Sequence, residues 1–372
     1  MKILNRRYAA AVLAALVLAA VILAGAFPAS AAPLNTEDPD LGLDCVSAIL
    51  MEADTGTVLY EMNAGEALPP ASVTKVMTLL LVMEAIDRGV MDYDTVLTTS
   101  TRASKMGGSQ IYLKEGEQMK VNDLIKSVVI SSANDAAVVL AEAVAGSEEA
   151  FVAAMNKRAT ELGMKTAHFE NTNGLDDTVT NHVLSARDIA IMSRELMKHK
   201  KILEFSSTWM DTVRDGAFGL TNTNRLIRFY RGATGLKTGS TSKAKFCMSA
   251  TAERDGMSLI AVIMAAPTRD ARNSAAAALL DWGFANYAVY RYAEGDAAEL
   301  PVIGGVSDVL HTVHGGFTSV VRKGEEGKVT AVPSLPERVS APVKEGDVVG
   351  GIDFMLGDTQ LGKVAVTAAH PV

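Results

Sequence analysis

The spacing of apolar positions changes along this chain, and each change predicts a different structure. Short apolar runs at residues 46–51 and 57–60 flank the turn sequence Asp54-Thr55-Gly56, which predicts a β-hairpin. From residue 72 to 88 the apolar side chains recur every three or four positions, which predicts a helix that ends at Gly89. The same spacing predicts further helices at residues 122–130, 134–144, 148–162 and 185–198.

Strand-like segments return after Gly232. Residues 236–239, 245–252 and 258–264 are apolar, the turn Asp255-Gly256 separates the last two, and an alanine-rich helix is expected at residues 268–284. The order along the chain is two strands, a helical insertion, three strands and a helix. This order fits an antiparallel sheet flanked by helices. The pattern therefore predicts an α+β fold.

The residue composition changes again at about residue 288. Val, Gly and Thr dominate there, and glycine-containing turns recur at short intervals, which predicts a small all-β domain. We therefore expect a main domain over residues 44–286 and a small C-terminal β domain over residues 287–372.

The beginning of the chain has the residue pattern of a targeting signal. Three basic residues precede an uncharged apolar stretch at residues 8–27, and Ala29-Ser30-Ala31 is a small-x-small cleavage sequence. This order predicts a signal peptide at residues 1–31, cut after Ala31, followed by a linker at residues 32–43. The protein is therefore expected to be exported and extracytoplasmic, and to touch the membrane only through an uncleaved leader.

Composition narrows the set of partners. The apolar fraction of 48% and the charged fraction of 21% are typical of a globular protein, and the net charge of −8 argues against nucleic acid as a partner. Cys45 and Cys247 are expected to be free thiols in apolar strands. His311 and His314 lack the further ligands of a metal site, so we predict neither a metal nor a cofactor.

The tetrad Ser72-Val73-Thr74-Lys75 opens the first long helix. Residues three apart lie on nearly the same helix face, so Ser72 and Lys75 are expected about 5 Å apart. A serine hydroxyl needs a base to become a nucleophile, and a lysine can serve when burial and a second cation lower its pKa. The tetrad therefore predicts acyl transfer with Ser72 as nucleophile and Lys75 as base.

Two further segments complete a recognisable combination. Ser132-Ala133-Asn134 lies between two predicted helices, where a serine can relay a proton and an amide can orient a peptide, with Ser131 as a bystander. Lys237-Thr238-Gly239 lies on a predicted strand, where its side chains can bind a carboxylate and its glycine admits a substrate backbone. The three segments in this order are typical of penicillin-interacting serine enzymes. A second tetrad, Ser240-Thr241-Ser242-Lys243, lies at a strand–turn junction where nothing fixes a one-turn geometry.

These segments resemble those of the low-molecular-mass penicillin-binding proteins that act as D-alanyl-D-alanine carboxypeptidases, peptidase family S11. The resemblance runs from about Asp44 to the C-terminus and includes Asn173-Gly174-Leu175-Asp176, Ser185-Ala186-Arg187-Asp188 and the segment at residues 341–347. It implies the penicillin-recognising serine transferase fold, which is β-lactamase-like and has a five-stranded antiparallel sheet. It also implies removal of the terminal D-alanine from peptidoglycan stem peptides ending in D-Ala-D-Ala, with β-lactams as covalent inhibitors.

The resemblance implies catalytic roles. Ser72 forms the acyl-enzyme, Lys75 accepts its proton, and Ser132 passes a proton to the departing D-alanine. The backbone N–H groups of Ser72 and Ser240 form the oxyanion hole. Lys237 supplies the second cation that keeps Lys75 neutral.

Binding roles follow from the same resemblance. Asn134 orients the substrate peptide, Lys237 and Thr238 hold its terminal carboxylate, and Gly239 lets its backbone approach. The chain departs from some relatives where Asn222-Thr223-Asn224 lacks an arginine, although Arg225 and Arg228 are near in sequence.

Other departures concern charge and anchoring. Thr234 stands where an acidic residue is common in the family, and the chain ends at residue 372 in strand-like sequence without the amphipathic anchoring helix of many relatives.

Three alternative functions are considered. A class A-like β-lactamase needs a base that activates water, and Glu170 is the candidate for that base. A non-catalytic sensor of penicillin or wall peptides would use the groove for recognition alone. Transpeptidation and endopeptidase action share the acyl-enzyme, so the sequence does not choose between acceptors.

Overall fold

The computed structural model describes residues 39–177 and 179–372. The predicted signal peptide, its cleavage site and most of the predicted linker lie outside the described residues. The described chain forms two compact units, one of residues 39–291 and 320–327 and the other of residues 292–319 and 328–372. In the described part of the chain no helix combines the length and hydropathy needed to cross a bilayer.

The larger unit alternates strands with a long helical block. Its strands are Ser47–Glu52 (β1), Val58–Met62 (β2), Val96–Thr98 (β3), Gln118–Lys120 (β4), Met210–Val213 (β5), Phe218–Thr221 (β6), Ala233–Thr241 (β7), Lys245–Arg254 (β8) and Met257–Ala266 (β9). Its helices are Lys75–Asp87 (α1), Thr101–Ser104 (α2), Val121–Ile130 (α3), Asn134–Ala145 (α4), Glu148–Glu161 (α5), Ala186–Lys198 (α6), Lys201–Ser206 (α7), Leu226–Phe229 (α8) and Arg269–Asn286 (α9).

Five of these strands form the predicted antiparallel sheet, in the order β2-β1-β9-β8-β7. The central strand β9 is almost continuously buried and apolar, because helices α6 and α9 both pack against it. Strand β7, which carries Lys237 and Thr238, lies at the edge of the sheet. Edge position leaves one side of β7 without a strand neighbour, so another chain segment can approach its backbone there.

Helix α1 is the core of the helical block. Most of its side chains are buried, among them Val76, Met77, Leu80 and Val82, and each such burial is worth roughly 1.5–3 kcal/mol. The predicted helix at residues 72–88 is partly wrong at its start, because residues Ala71–Thr74 form a 3₁₀ turn and the α-helix begins at Lys75. Burial of this helix on nearly all sides fits its position between α4 and α6.

Local capping signals explain where helices begin and end. Ser185 and Asp188 form a capping box at the start of α6, in which each side chain accepts a hydrogen bond from the other residue's backbone. Gly146 ends α4 with a φ of +83°, a conformation that glycine adopts without steric cost. The short hairpins β3–β4 and β5–β6 were not predicted, because strands of three or four residues carry little periodicity.

The rest of the chain is almost entirely strand. The strands are Tyr287–Tyr292 (β10), Gly295–Ile303 (β11), Val309–His314 (β12), Phe317–Arg322 (β13), Val329–Ser334 (β14), Val339–Ser340 (β15), Val348–Leu356 (β16) and Thr359–Ala368 (β17). Six of them form one sheet in the order β14-β16-β17-β12-β11-β15. Leu310, Val343 and Ala368 form part of its buried core, and the rings of Phe317 and Phe354 stack with centroids 4.1 Å apart. The predicted small all-β domain is confirmed.

Candidate active site

The predicted nucleophile and base lie in direct contact. Ser72 is half-buried in the 3₁₀ turn, and Lys75 is the first residue of α1. Lys75 Nζ lies 2.9 Å from Ser72 Oγ and 2.9 Å from the backbone oxygen of Asn173. The serine proton can therefore pass to the amine without any movement of the main chain.

A buried hydrogen-bond chain holds the turn that carries Ser72. Ala71 has a φ of +49°, and Thr74 Oγ1 donates to its backbone oxygen over 2.8 Å. His182 Nδ1 accepts from the backbone N–H of Glu170, so its Nε2–H donates to Thr74 Oγ1 at 2.8 Å. Burial lowers the pKa of His182 to about 4, which keeps this imidazole neutral near pH 7.

Burial and a neighbouring cation prepare Lys75 to act as a base. Complete burial holds the pKa of Lys75 well below its usual range, and the charge of Lys237 lowers it further, against the opposing effect of Asp135. Burial also lowers the pKa of Lys237 to about 7, with a second contribution from Arg272. The site thus favours an uncharged amine at Lys75, as general-base action requires.

The backbone oxygen that contacts Lys75 belongs to a segment for which no catalytic role was predicted from the sequence. Asn173 lies in a tight loop in which Asn171 Oδ1 accepts from the backbone N–H groups of Asn173 and Gly174 at 3.2 and 2.7 Å. Thr78 of helix α1 donates to the backbone oxygen of Thr172. The loop is therefore anchored to α1 one turn beyond the lysine it contacts.

The loop between α3 and α4 presents two polar atoms that have no protein partner. Ser132 has a φ of +64°, and its Oγ is buried without a hydrogen bond among the described residues. Asn134 Nδ2 donates to the backbone oxygen of Gly107 over 2.7 Å, whereas Asn134 Oδ1 has no partner in the described chain. A buried polar atom is costly unless it is paired, so both atoms fit a role toward a bound substrate.

Strand β7 approaches the nucleophile closely. A Cβ atom at Gly239 would lie 2.8 Å from the backbone nitrogen of Ser72 and 2.9 Å from the backbone oxygen of Pro70, so only glycine fits there without displacement. Thr238 Oγ1 donates to Thr223 Oγ1 over 2.7 Å. The predicted lysine of this strand, Lys237, is buried and donates to the backbone oxygen of Thr238.

A cleft of about 370 Å³ opens at Ser72. It is lined by Ser72, Ser109, Ser132, Trp209, Asn222, Thr223, Arg225, Thr238, Gly239, Ser240, Arg269 and Arg272. Five of the predicted residues thus reach its wall, whereas Lys75, Asn134 and Lys237 are buried and are not part of its lining. The lining contains three arginines and no carboxylate, so the cleft favours an anionic ligand.

The three arginines of the cleft come from two parts of the chain. Asn222-Thr223-Asn224 carries no arginine, but Arg225 follows it, and Arg269 and Arg272 come from the first turn of α9. Cations at a helix N-terminus oppose the helix dipole, and that unfavourable placement was a readable signal of function. Burial, with help from Arg269, lowers the pKa of Arg272 to about 10, which still leaves it charged at pH 7.

Two residues considered for other roles lie elsewhere. Glu170, the candidate base of a β-lactamase, accepts from the backbone N–H groups of Thr180 and Asn181 at 2.8 and 3.1 Å and does not line the cleft. Lys243 of the second tetrad is exposed in the turn between β7 and β8. Within residues 39–177 and 179–372 no three His, Cys, Asp or Glu side chains converge as a metal site would require.

Replacement of Lys237 by methionine is expected to remove a pH-dependent cost of folding. Between pH 7 and 10.5 the unfolded chain binds a proton at Lys237 that the folded chain has lost, so the unfolding free energy rises with pH. In chemical denaturation, the unfolding free energy of the wild type should rise by about 4 kcal/mol more than that of Lys237→Met across this interval. Lys243→Met, at an exposed lysine, is the control, and its unfolding free energy should change with pH in parallel with that of the wild type. Parallel curves of unfolding free energy against pH for the wild type and Lys237→Met would contradict the assignment.

Comparison with known protein families gives two matches along the chain. The D-alanyl-D-alanine carboxypeptidase family, Peptidase S11, matches residues 34–268, and the C-terminal domain of penicillin-binding protein 5 matches residues 292–372. The chain is 42% identical over 318 residues to the D-alanyl-D-alanine carboxypeptidase DacF of Bacillus subtilis, and the alignment covers 84% of this chain and 81% of that relative.

Solved structures agree with this assignment. Penicillin binding protein 5 from Haemophilus influenzae superposes with a TM-score of 0.79 at 28% identity, over 91% of this chain and 99% of that one. Penicillin-binding protein D2 from Listeria monocytogenes, solved in an ampicillin-bound form, superposes with a TM-score of 0.61 at 33% identity, over 66% of this chain and 100% of that one.

The sheet, the helical insertion and the serine–lysine contact together define the class of penicillin-recognising serine enzymes. The chain belongs to the D-alanyl-D-alanine carboxypeptidase family, peptidase S11. The predicted fold and the predicted carboxypeptidase activity, a hydrolase reaction, are confirmed.

Proposed function

We propose that this carboxypeptidase removes the terminal D-alanine of peptidoglycan stem peptides through an acyl-enzyme on Ser72. Lys75 takes the Ser72 hydroxyl proton while the oxygen attacks the carbonyl carbon of the penultimate D-alanine. The backbone N–H groups of Ser72 and Ser240 stabilise the resulting oxyanion. The observation that carries this proposal is the 2.9 Å contact between the two side chains, with the amine buried beside a second cation.

The second half of the reaction involves Ser132. As the C–N bond breaks, Ser132 Oγ passes a proton from Lys75 to the departing nitrogen, and D-alanine leaves with a neutral amine. Water then hydrolyses the ester and restores the Ser72 hydroxyl. The unpaired, buried state of Ser132 Oγ at the cleft wall supports this role.

Substrate binding uses the remaining polar groups. Asn134 Oδ1 accepts an N–H of the peptide, and Gly239 lets that peptide lie along the edge of β7. Thr238 and the cleft arginines bind the terminal carboxylate, with Lys237 adding positive charge from behind the wall. β-Lactams carry a carboxylate near a strained carbonyl, so we propose that they acylate Ser72 and inhibit the enzyme.

The domain and location assignments complete the proposal. Residues 44–286 form the carboxypeptidase domain and residues 287–372 the C-terminal β domain. The leader at residues 1–31 is removed, and the protein works outside the cytoplasmic membrane, where its peptidoglycan substrate lies.

Mass spectrometry of the exported protein after exposure to a penicillin tests these assignments together. We expect a long-lived adduct mapped to Ser72, an intact mass that lacks residues 1–31, and release of D-alanine from a pentapeptide ending in D-Ala-D-Ala. Rapid penicillin turnover without an adduct would instead indicate a β-lactamase. An adduct without D-alanine release would indicate a sensor, and an adduct on another residue would remove Ser72 from its role.

A further inference from the structure

One buried polar atom, on a residue that lines the cleft, has no function in the reaction described above. Trp209 lines the cleft beside Thr223, Arg225 and Thr238, and its Nε1 is buried without a hydrogen-bond partner among the described residues. The proposed reaction uses the unpaired atoms of Ser132 and Asn134 but leaves the indole N–H without a role.

The indole ring is held in place from several sides. The Trp209 backbone oxygen accepts from the backbone N–H of Asn222 over 2.8 Å, which ties it to the hairpin β5–β6. The ring makes an edge contact with Phe229 at 6.4 Å, and the guanidinium of Arg228 lies 5.7 Å from its centroid. The N–H direction is thus set by packing, and the ring is preorganised rather than induced to its position.

The chemistry of the N–H selects its partner. An indole Nε1–H can only donate, and a buried donor without an acceptor is unfavourable. The cleft lining contains no carboxylate, so a ligand that brings a strong acceptor can satisfy this donor. Thr223 and Thr238 share one hydrogen bond, which leaves one hydroxyl proton of the pair free to donate beside Trp209. A carboxylate offers only acceptors and therefore suits these donors and Arg225. An amide suits them less well, because it adds N–H donors of its own.

We propose that Trp209 is a specificity-determining residue whose Nε1–H donates to the free terminal carboxylate of the substrate. The residue thereby favours peptides that end in a free carboxylate over peptides whose C-terminus is amidated or extended. The inference rests on the proposed function, since it assigns a further ligand contact within the same cleft.

Calorimetry with Ser72→Ala protein tests this, using a blocked tripeptide ending in D-Ala-D-Ala and its C-terminal amide as probes. Trp209→Phe keeps an aromatic ring at this position and removes the N–H, so affinity for the acid should fall about tenfold and affinity for the amide should stay unchanged. Trp282→Phe is the matched control, because the other tryptophan packs between Tyr60 and Tyr287. Equal losses for both peptides, or no loss for either, would overturn the proposal.

A second measurement leaves Trp209 intact. The chain has two tryptophans, so Ser72→Ala/Trp282→Phe protein carries Trp209 as its single indole fluorophore. The acid peptide should shift its emission and the amide should not; identical emission with both peptides would overturn the proposal. Failure of the wild type to release D-alanine would refute the proposed function on its own, because these binding measurements do not depend on turnover.

Discussion

Alanine at Ser72 and methionine at Lys75 are each expected to lower kcat/KM for D-alanine release by about 10⁴-fold or more. The double variant should be no slower than either single variant. Nucleophile and base act as a unit, because the amine has a proton to accept only while the hydroxyl is present 2.9 Å away. Methionine keeps the unbranched shape of lysine with one heavy atom fewer and carries no polar group to bury, so the loss should reflect chemistry rather than collapse of the core.

A coupled assay for free D-alanine measures the rates, and the mass shift after penicillin treatment measures acylation. Ser131→Ala is the control, because Ser131 Oγ donates to the backbone oxygen of Ser127 at the end of α3 and does not line the cleft. It should keep near wild-type rates. If Lys75→Met retained more than about a tenth of the wild-type rate, a different base would have to be assigned.

Alanine at Gly174 is expected to destabilise the protein and slow the reaction, although it touches no substrate. The added Cβ would lie 1.8 Å from the backbone oxygen of Ala71 and 2.7 Å from Thr74 Oγ1, and the position has a φ of +81°. Overpacking and the left-handed conformation together should cost about 3 kcal/mol of unfolding free energy. Relief of the clash must move Asn173 away from Lys75, and displacement of the base by about 1 Å can lower kcat/KM roughly 100-fold.

Gly146→Ala separates the cost of the left-handed backbone conformation from the cost of the steric clash at Gly174. Gly146 has nearly the same φ, +83°, but a Cβ there would meet nothing within 4 Å. Its substitution should cost about 1 kcal/mol and leave kcat/KM unchanged. Thermal or denaturant unfolding measures the stability difference. Equal destabilisation by the two substitutions would show that backbone conformation, not the contact with Ala71, dominates at Gly174.

Local sequence signals were sufficient for most of the secondary structure. Apolar spacing placed the main helices and strands to within a few residues, and Ser185 with Asp188 marked the start of α6 correctly. The error at Ser72 has a tertiary cause, because the 3₁₀ turn is held by His182, which is more than 100 residues away in the chain. No periodicity within the turn itself can reveal such a partner.

The candidate site was also predictable from the sequence only in part. The Ser72–Lys75 spacing predicted their contact, since both belong to one turn of chain. Nothing in the sequence pointed directly to the backbone oxygen of Asn173 as a partner of Lys75, or to the cleft position of Trp209. Both belong to segments far from Ser72 in the chain, and a backbone atom carries no residue-type signal at all.

By itself, the sequence determined the order of the elements, the serine–lysine pair and the family motifs, because those depend on residues close together in the chain. Only the tertiary structure decided that Lys75 is completely buried, and that three arginines and a tryptophan line a cleft without carboxylates. The physical reason is that a pKa, a buried donor and a local field depend on distance and burial in space. These distances and this burial are set only when β7, α1 and the hairpin β5–β6 pack together.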